Sequence, residues 1–223
     1  MSEFRRRLMM QQESDPNTLP AGCVRCEYIE SYYASNNASA QYIDTERKMN
    51  STDIFGFTFT PCAGNSSQSS FGWKITGTQS SGEHSLLYLF DTYFYFAHGI
   101  YWANTTKFDF TPNETKFEVV VNQVLKSVTI NDATIRCNFD KPYSNGNSVY
   151  DVMLFTSNNI GSITRGGRLR MHDFWVKDKY GNMIQHLVPI LDVNGVPCMY
   201  DTVKKKYHYN KRTGNFNYKI LEQ

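Results

Sequence analysis

The sequence predicts an all-β protein, a sandwich of two antiparallel sheets made from many short strands. Three observations carry this. Aromatic residues make up 15 % of the chain, with 15 Tyr, 15 Phe and 3 Trp, and such side chains suit a pleated, half-buried surface. Apolar residues alternate at period two, so that Phe55, Phe57 and Phe59 share one face of a strand, and Phe117, Val119 and Val121 share another. Turn-forming residues recur between the apolar runs at short, regular intervals.

The elements follow in order. In residues 1–13, Phe4 and Leu8 stand four apart, which on a helix makes a single apolar spot surrounded by Arg5, Arg6 and Arg7. A helix of that length is marginal alone in water, so it is expected to order by docking, with its apolar spot in a groove and its arginines on acidic groups of a partner. A disordered tail and a nucleic-acid arm are the competing readings. Residues 14–22 carry two prolines and turn formers and read as a linker. The body, 23–223, then holds thirteen expected strands: Glu27–Glu30, Gln41–Glu46, Asp53–Pro61, Ser70–Thr76, Ser85–Phe96, Thr115–Asn122, Ser127–Asn131, Ala133–Asn138, Tyr150–Ser157, Arg168–Lys177, Ile184–Leu191, Pro197–Thr202 and Lys206–Asn210. Tight turns are expected at Asn131-Asp132, Tyr180-Gly181-Asn182, Val193-Asn194-Gly195 and Thr213-Gly214-Asn215, where residues tolerant of positive φ cluster. The order of elements fits an antiparallel meander or jelly roll.

At 223 residues one large core is within reach, since a chain of this size buries roughly 70 % of its unfolded surface. The net charge is +2, and residues 1–12, with three arginines and one glutamate, account for all of it. A charge-balanced body with one short basic arm offers only weak, salt-sensitive contact with nucleic acid, which argues against that partner class. No run of 18 apolar residues occurs, so no membrane-spanning helix is expected. The three apolar residues after the arginines fall short of a signal peptide. Five N-x-S/T sequons, at Asn37, Asn50, Asn65, Asn104 and Asn113, are therefore read as turn composition. The five cysteines (23, 26, 62, 137, 198) are scattered through expected strands. Cys23 and Cys26 form C-x-x-C, a possible redox or metal half-site, but no second pair accompanies them, and two free thiols at a strand start is the favoured reading.

Two stretches of the body carry a resemblance. Leu19-Pro20-Ala21-Gly22 with Glu27-Tyr28-Ile29-Glu30-Ser31 and Gln41-Tyr42-Ile43-Asp44-Thr45 is one. The other is Leu169–Asp178, His186-Leu187-Val188-Pro189, Gly195-Val196-Pro197-Cys198-Met199-Tyr200-Asp201, then Tyr207-His208-Tyr209-Asn210 with Thr213-Gly214. Both resemble concanavalin A-like, lectin-type sandwich domains of gut bacteria and their tailed phages, though that family usually has apolar or aromatic residues where Cys23 and Cys26 stand. The opening Phe4-Arg5-Arg6-Arg7-Leu8-Met9-Met10 resembles the short leader of structural proteins from crAss-like phages. The resemblance implies a jelly-roll body on the virion surface, as a head fibre or capsid-decoration protein. It would be anchored to a capsid or other virion protein through Phe4, Arg5, Arg6, Arg7 and Leu8, and be homotrimeric as fibres commonly are. The implied task is weak host-surface or glycan adhesion, with a non-viral carbohydrate-binding module and a tail-associated adhesin as alternatives.

Glucanases of the concanavalin-like class use E-x-D-x-E, and Tyr42-Ile43-Asp44-Thr45-Glu46 is a near miss, with Asp44 and Glu46 expected about 7 Å apart on one side of a strand. Tyr42 stands at the nucleophile position, which removes the covalent step of a retaining glycosidase. No G-x-S-x-G, H-E-x-x-H or phosphate-binding loop occurs, and the five histidines are isolated from one another in sequence. Asp91, Asp151 and Asp173 could hold calcium in principle, but no loop gathers oxygen ligands, and neither a metal site nor a cofactor is expected. The aromatic run from Tyr88 to Trp102 is more suggestive. Alternation sets Tyr93 and Tyr95 on one face and Phe94 and Phe96 on the other. Tyr93, Tyr95, Tyr101 and Trp102 then form a glycan or subunit contact, unless this is simply the most buried strand of the core.

Overall fold

A computed structural model describes residues 18–31, 41–63, 73–80, 83–90, 93–99, 101–107, 109–136, 148, 150–159, 162–164 and 167–222. Residues 1–17, with the expected anchor Phe4, Arg5, Arg6, Arg7 and Leu8, lie outside them. Among the described residues there are strands and no helix, and all pairings but one are antiparallel.

The strands are β1 Val24–Glu30, β2 Ile43–Asp44, β3 Ile54–Pro61, β4 Trp73–Ser80, β5 Glu83–Phe90, β6 Tyr93–Gly99, β7 Tyr101–Lys107, β8 Phe117–Asn122 and β9 Ser127–Ile130. They continue with β10 Ala133–Arg136, β11 Met153–Leu154, β12 Ser157–Asn159, β13 Ser162–Thr164, β14 Leu169–Lys177, β15 Met183–Leu191, β16 Pro197–Asp201, β17 Lys206–His208 and β18 Asn217–Ile220. A ten-stranded sheet runs β10-β9-β8-β3-β14-β1-β15-β16-β17, with β18 on β1. An eight-stranded sheet runs β13-β12-β4-β5-β6-β7, with β11 joining β4 to β2.

Register explains the core. Phe55 pairs with Val121 and Val176, Phe57 with Val119 and Phe174, and Phe59 with Phe117 and Met171. Directly opposed residues of antiparallel strands point to the same face, so these pairs form three apolar rows across β8, β3 and β14, and every member is buried. Ile43 of β2 and Leu154 of β11 join the same cluster, so both sheets contribute to one core. A smaller cluster of Val188, Ile190, Cys198 and Tyr200 lies on the other face of β15 and β16, with Leu19, Cys23 and Tyr207 against it.

Several expectations change. Ser85–Phe96 is two strands, since Phe90 pairs with Tyr93 and the chain reverses between them; continuous aromatics on both sides concealed the reversal. Gln41–Glu46 shortens to Ile43–Asp44 because Glu46 adopts φ +54°, which ends pleating there. Phe155, fully buried, has φ +70° and divides Tyr150–Ser157 into β11 and β12. The expected turns are present: Asn131, Gly181, Gly195 and Gly214 all have positive φ.

Candidate functional site

With one face of the large sheet committed to the core, the opposite face of β14 carries the residues that alternate with the buried ones. Leu169, Met171, Phe174 and Val176 are buried inward, and a bulge between Met171 and Asp173 shifts the phase. Arg170, His172, Asp173, Trp175 and Lys177 are left on the outward side.

Part of this face is a structural brace. Glu30, 4 % exposed, accepts from Arg168 Nε at 2.9 Å and Nη2 at 2.7 Å, and from Arg170 Nε at 2.9 Å. Arg168 and Arg170 also donate to the carbonyls of Ala63 and Asn113. Burial alone would raise the Glu30 carboxyl, but the hydrogen bonds from Arg170 and Arg168 outweigh it and hold the group below the ordinary carboxylate range. The Arg170 guanidinium lies 4.8 Å from the Tyr28 ring centroid, and Tyr28 meets His172 edge to face at 5.6 Å. His172 donates through Nδ1 to Glu27 O at 3.0 Å, which leaves Nε2, 3.1 Å from Thr60 Oγ1, as the acceptor. Burial pulls its pKa down to about 4, so the ring is neutral. These groups are fully engaged with one another.

The neighbouring stretch is different. Trp175 pairs with Gly56 on one side and His186 on the other. Its ring lies on Gly56 so closely that a Cβ there would fall 2.4 Å from Trp175 Cζ2. Glycine at position 56 is what lets the indole lie down on the sheet. Lys177 Nζ is 5.0 Å from the ring centroid. His186 Nε2 lies 3.0 Å from Asp173 Oδ1, and its Nδ1 lies 3.3 Å from Thr202 Oγ1. Arg25, half-buried and paired by backbone with Ile190, loses basicity to burial and is supported by the nearby Asp173 charge.

Asp173, His186 and Thr202 form the order of a carboxylate, base and hydroxyl nucleophile that sequence spacing did not reveal. The chemistry does not follow. Thr202 is 2 % exposed, and its own N–H donates to His186 O at 2.8 Å instead of facing a substrate carbonyl. The trio fixes the His186 ring beside Trp175.

Asp44 and Glu46 do not form a carboxylate pair on one strand. Asp44 Oδ1 accepts from Glu46 N at 2.8 Å, and the Glu46 carboxylate is paired with Lys206. Cys23 and Cys26 are free thiols, as is Cys198. Burial raises the Cys26 thiol to about 11 and Cys198 to about 12, which keeps both protonated and unreactive. Among the described residues no three His, Cys, Asp or Glu side chains converge as metal ligands.

The aromatic candidates of the second sheet lie on β6 and β7. Tyr95 pairs with Tyr88 and Asn104, Tyr93 with Phe90 and Lys107, Trp102 with Ala97, and Tyr101 with His98. No protein-family model and no curated protein matches this chain.

Proposed function

We propose that this chain is a virion structural protein of a tailed phage, a head fibre or capsid-decoration protein whose concanavalin-like jelly-roll sandwich acts as a weak, lectin-like adhesin. The observation that carries the adhesin reading is the outward face of β14 and β15. There an indole laid on Gly56 is flanked by a hydrogen-bonded carboxylate and imidazole. A flat apolar ring beside fixed polar groups is the chemistry that holds a pyranose, whose apolar face stacks while its hydroxyls bond at the edge. The buried Thr202 hydroxyl and the dismantled Asp44–Glu46 pair favour binding over turnover. The virion reading rests on the motif resemblance, with Phe4, Arg5, Arg6, Arg7 and Leu8 as anchor and a homotrimer as the assembly. Three anchors would multiply the strength of attachment.

Particle assembly tests it. The full chain should co-sediment with phage particles, and deletion of residues 1–13 should abolish co-sedimentation while leaving the β-sheet circular-dichroism spectrum intact. Trp175→Ala should leave co-sedimentation intact and lower adsorption of the particles to host cells. A deletion variant that still assembles would contradict the anchor. Saccharide binding without any particle association would identify a non-viral carbohydrate-binding module instead.

A further inference from the structure

The half-buried cations of the described residues divide into two groups. Arg47 is paired with Asp53, and Arg168 and Arg170 with Glu30. On the outward face, Arg25 and Lys177 are also half-buried, yet neither has an ion pair with a carboxylate among the described residues. Asp173, whose charge acts on Arg25, is already bonded to His186 Nε2. Lys177 instead lies over the Trp175 ring, at 5.0 Å from its centroid, on a ring whose other side rests against Gly56.

Lys177 and Trp175 are two residues apart on one face of β14, and Asp173 follows at the next outward position. At ~3.4 Å per residue, Lys177 to Asp173 spans about 14 Å, a length suited to two or three sugar units, and Arg25 is close enough to Asp173 to feel its charge. A half-buried cation without an ion pair has lost part of its hydration, and the Trp175 ring under Lys177 and the His186-bonded Asp173 acting on Arg25 offset only part of that loss, so an incoming anion is favoured there. We infer that the Trp175 platform takes an acidic saccharide, whose carboxylate draws the Lys177 ammonium off the indole while the sugar ring takes its place there, with Arg25 receiving a second acidic unit of a longer chain. The inference rests on the glycan reading above and adds the charge of the ligand to it.

The test compares uronic-acid and sialic-acid oligosaccharides with neutral oligosaccharides of the same length, using the full chain and the surface variants Lys177→Gln and Trp175→Ala. Binding to acidic chains should exceed binding to neutral ones by about tenfold and weaken between 50 and 500 mM salt. Lys177→Gln should lower acidic binding about fivefold, towards that of neutral chains. Trp175→Ala should remove both, with an unchanged circular-dichroism spectrum confirming the fold. Equal binding of acidic and neutral chains, or no effect of Lys177→Gln, overturns the inference and leaves the glycan reading standing. Failure of every saccharide to bind overturns both.

Discussion

At Gly56 and His172 the physics of single residues makes sharp demands. A methyl group at position 56 would meet the Trp175 ring at 2.4 Å, backed by the sheet itself. Gly56→Ala should therefore destabilise the fold by about 1–3 kcal/mol through overpacking, read as a lower urea midpoint. Combining it with Trp175→Ala should recover most of the loss; simple additivity would contradict the contact. His172 is held neutral in the fold, with a pKa of about 4 against 6.5 for an unperturbed ring. As pH falls from about 6.5 to about 4 the unfolded chain takes up a proton that the folded chain does not, so stability drops across that window and levels off below it. The stability difference between wild type and His172→Gln should narrow by up to about 3 kcal/mol between pH 7 and pH 4. A difference that stays constant with pH would show that His172 is not kept neutral.

Among elements, three successive hairpin turns of the large sheet are each headed by an aspartate. Asp178 Oδ1 accepts from Tyr180 N and Asn182 N, Asp192 Oδ1 from Asn194 N and Val196 N, and Asp201 Oδ1 from Val203 N and Lys204 N. The carboxylate stands in for a backbone acceptor and sets the register of the strands that follow. Asp192 is buried and also accepts from the Tyr209 hydroxyl at 2.9 Å, whereas Asp178 is half-buried. Asp192→Ala should cost about 1–3 kcal/mol in chemical denaturation, and clearly more than Asp178→Ala. Equal losses would mean that the turn amides alone, and not the buried carboxylate, matter. These hairpins, with β3 and β8, were readable from sequence because alternating apolar residues end at Asn, Asp or Gly. The meander β4 to β7 is not legible in the sequence, because aromatics at successive positions hide period and turn together. β18 escaped notice because all four of its residues are exposed and no alternation marks it.

For the molecule as a whole, the all-β class followed from composition and period, because a sheet with one buried face writes that face into every second residue. The candidate site was not legible in the same way. Arg25, Asp173, Trp175, Lys177 and His186 come from three strands whose adjacency is set by register, so no local spacing joins them. One signal was present: between Leu169 and Val176 the residues that alternate with the core are charged or aromatic instead of Thr and Ser, an unusual outward face for a strand that only has to stay soluble. The proposed function therefore requires that ligand meets protein on that face. Amide chemical-shift mapping of the labelled full chain, titrated with the acidic saccharide it binds best, tests this most directly. Perturbations should centre on Gly56, Asp173, Trp175, Lys177 and His186. Perturbations centred on Tyr93, Tyr95 and Trp102 of the β6–β7 hairpin, with the outward face of β14 unmoved, would contradict it.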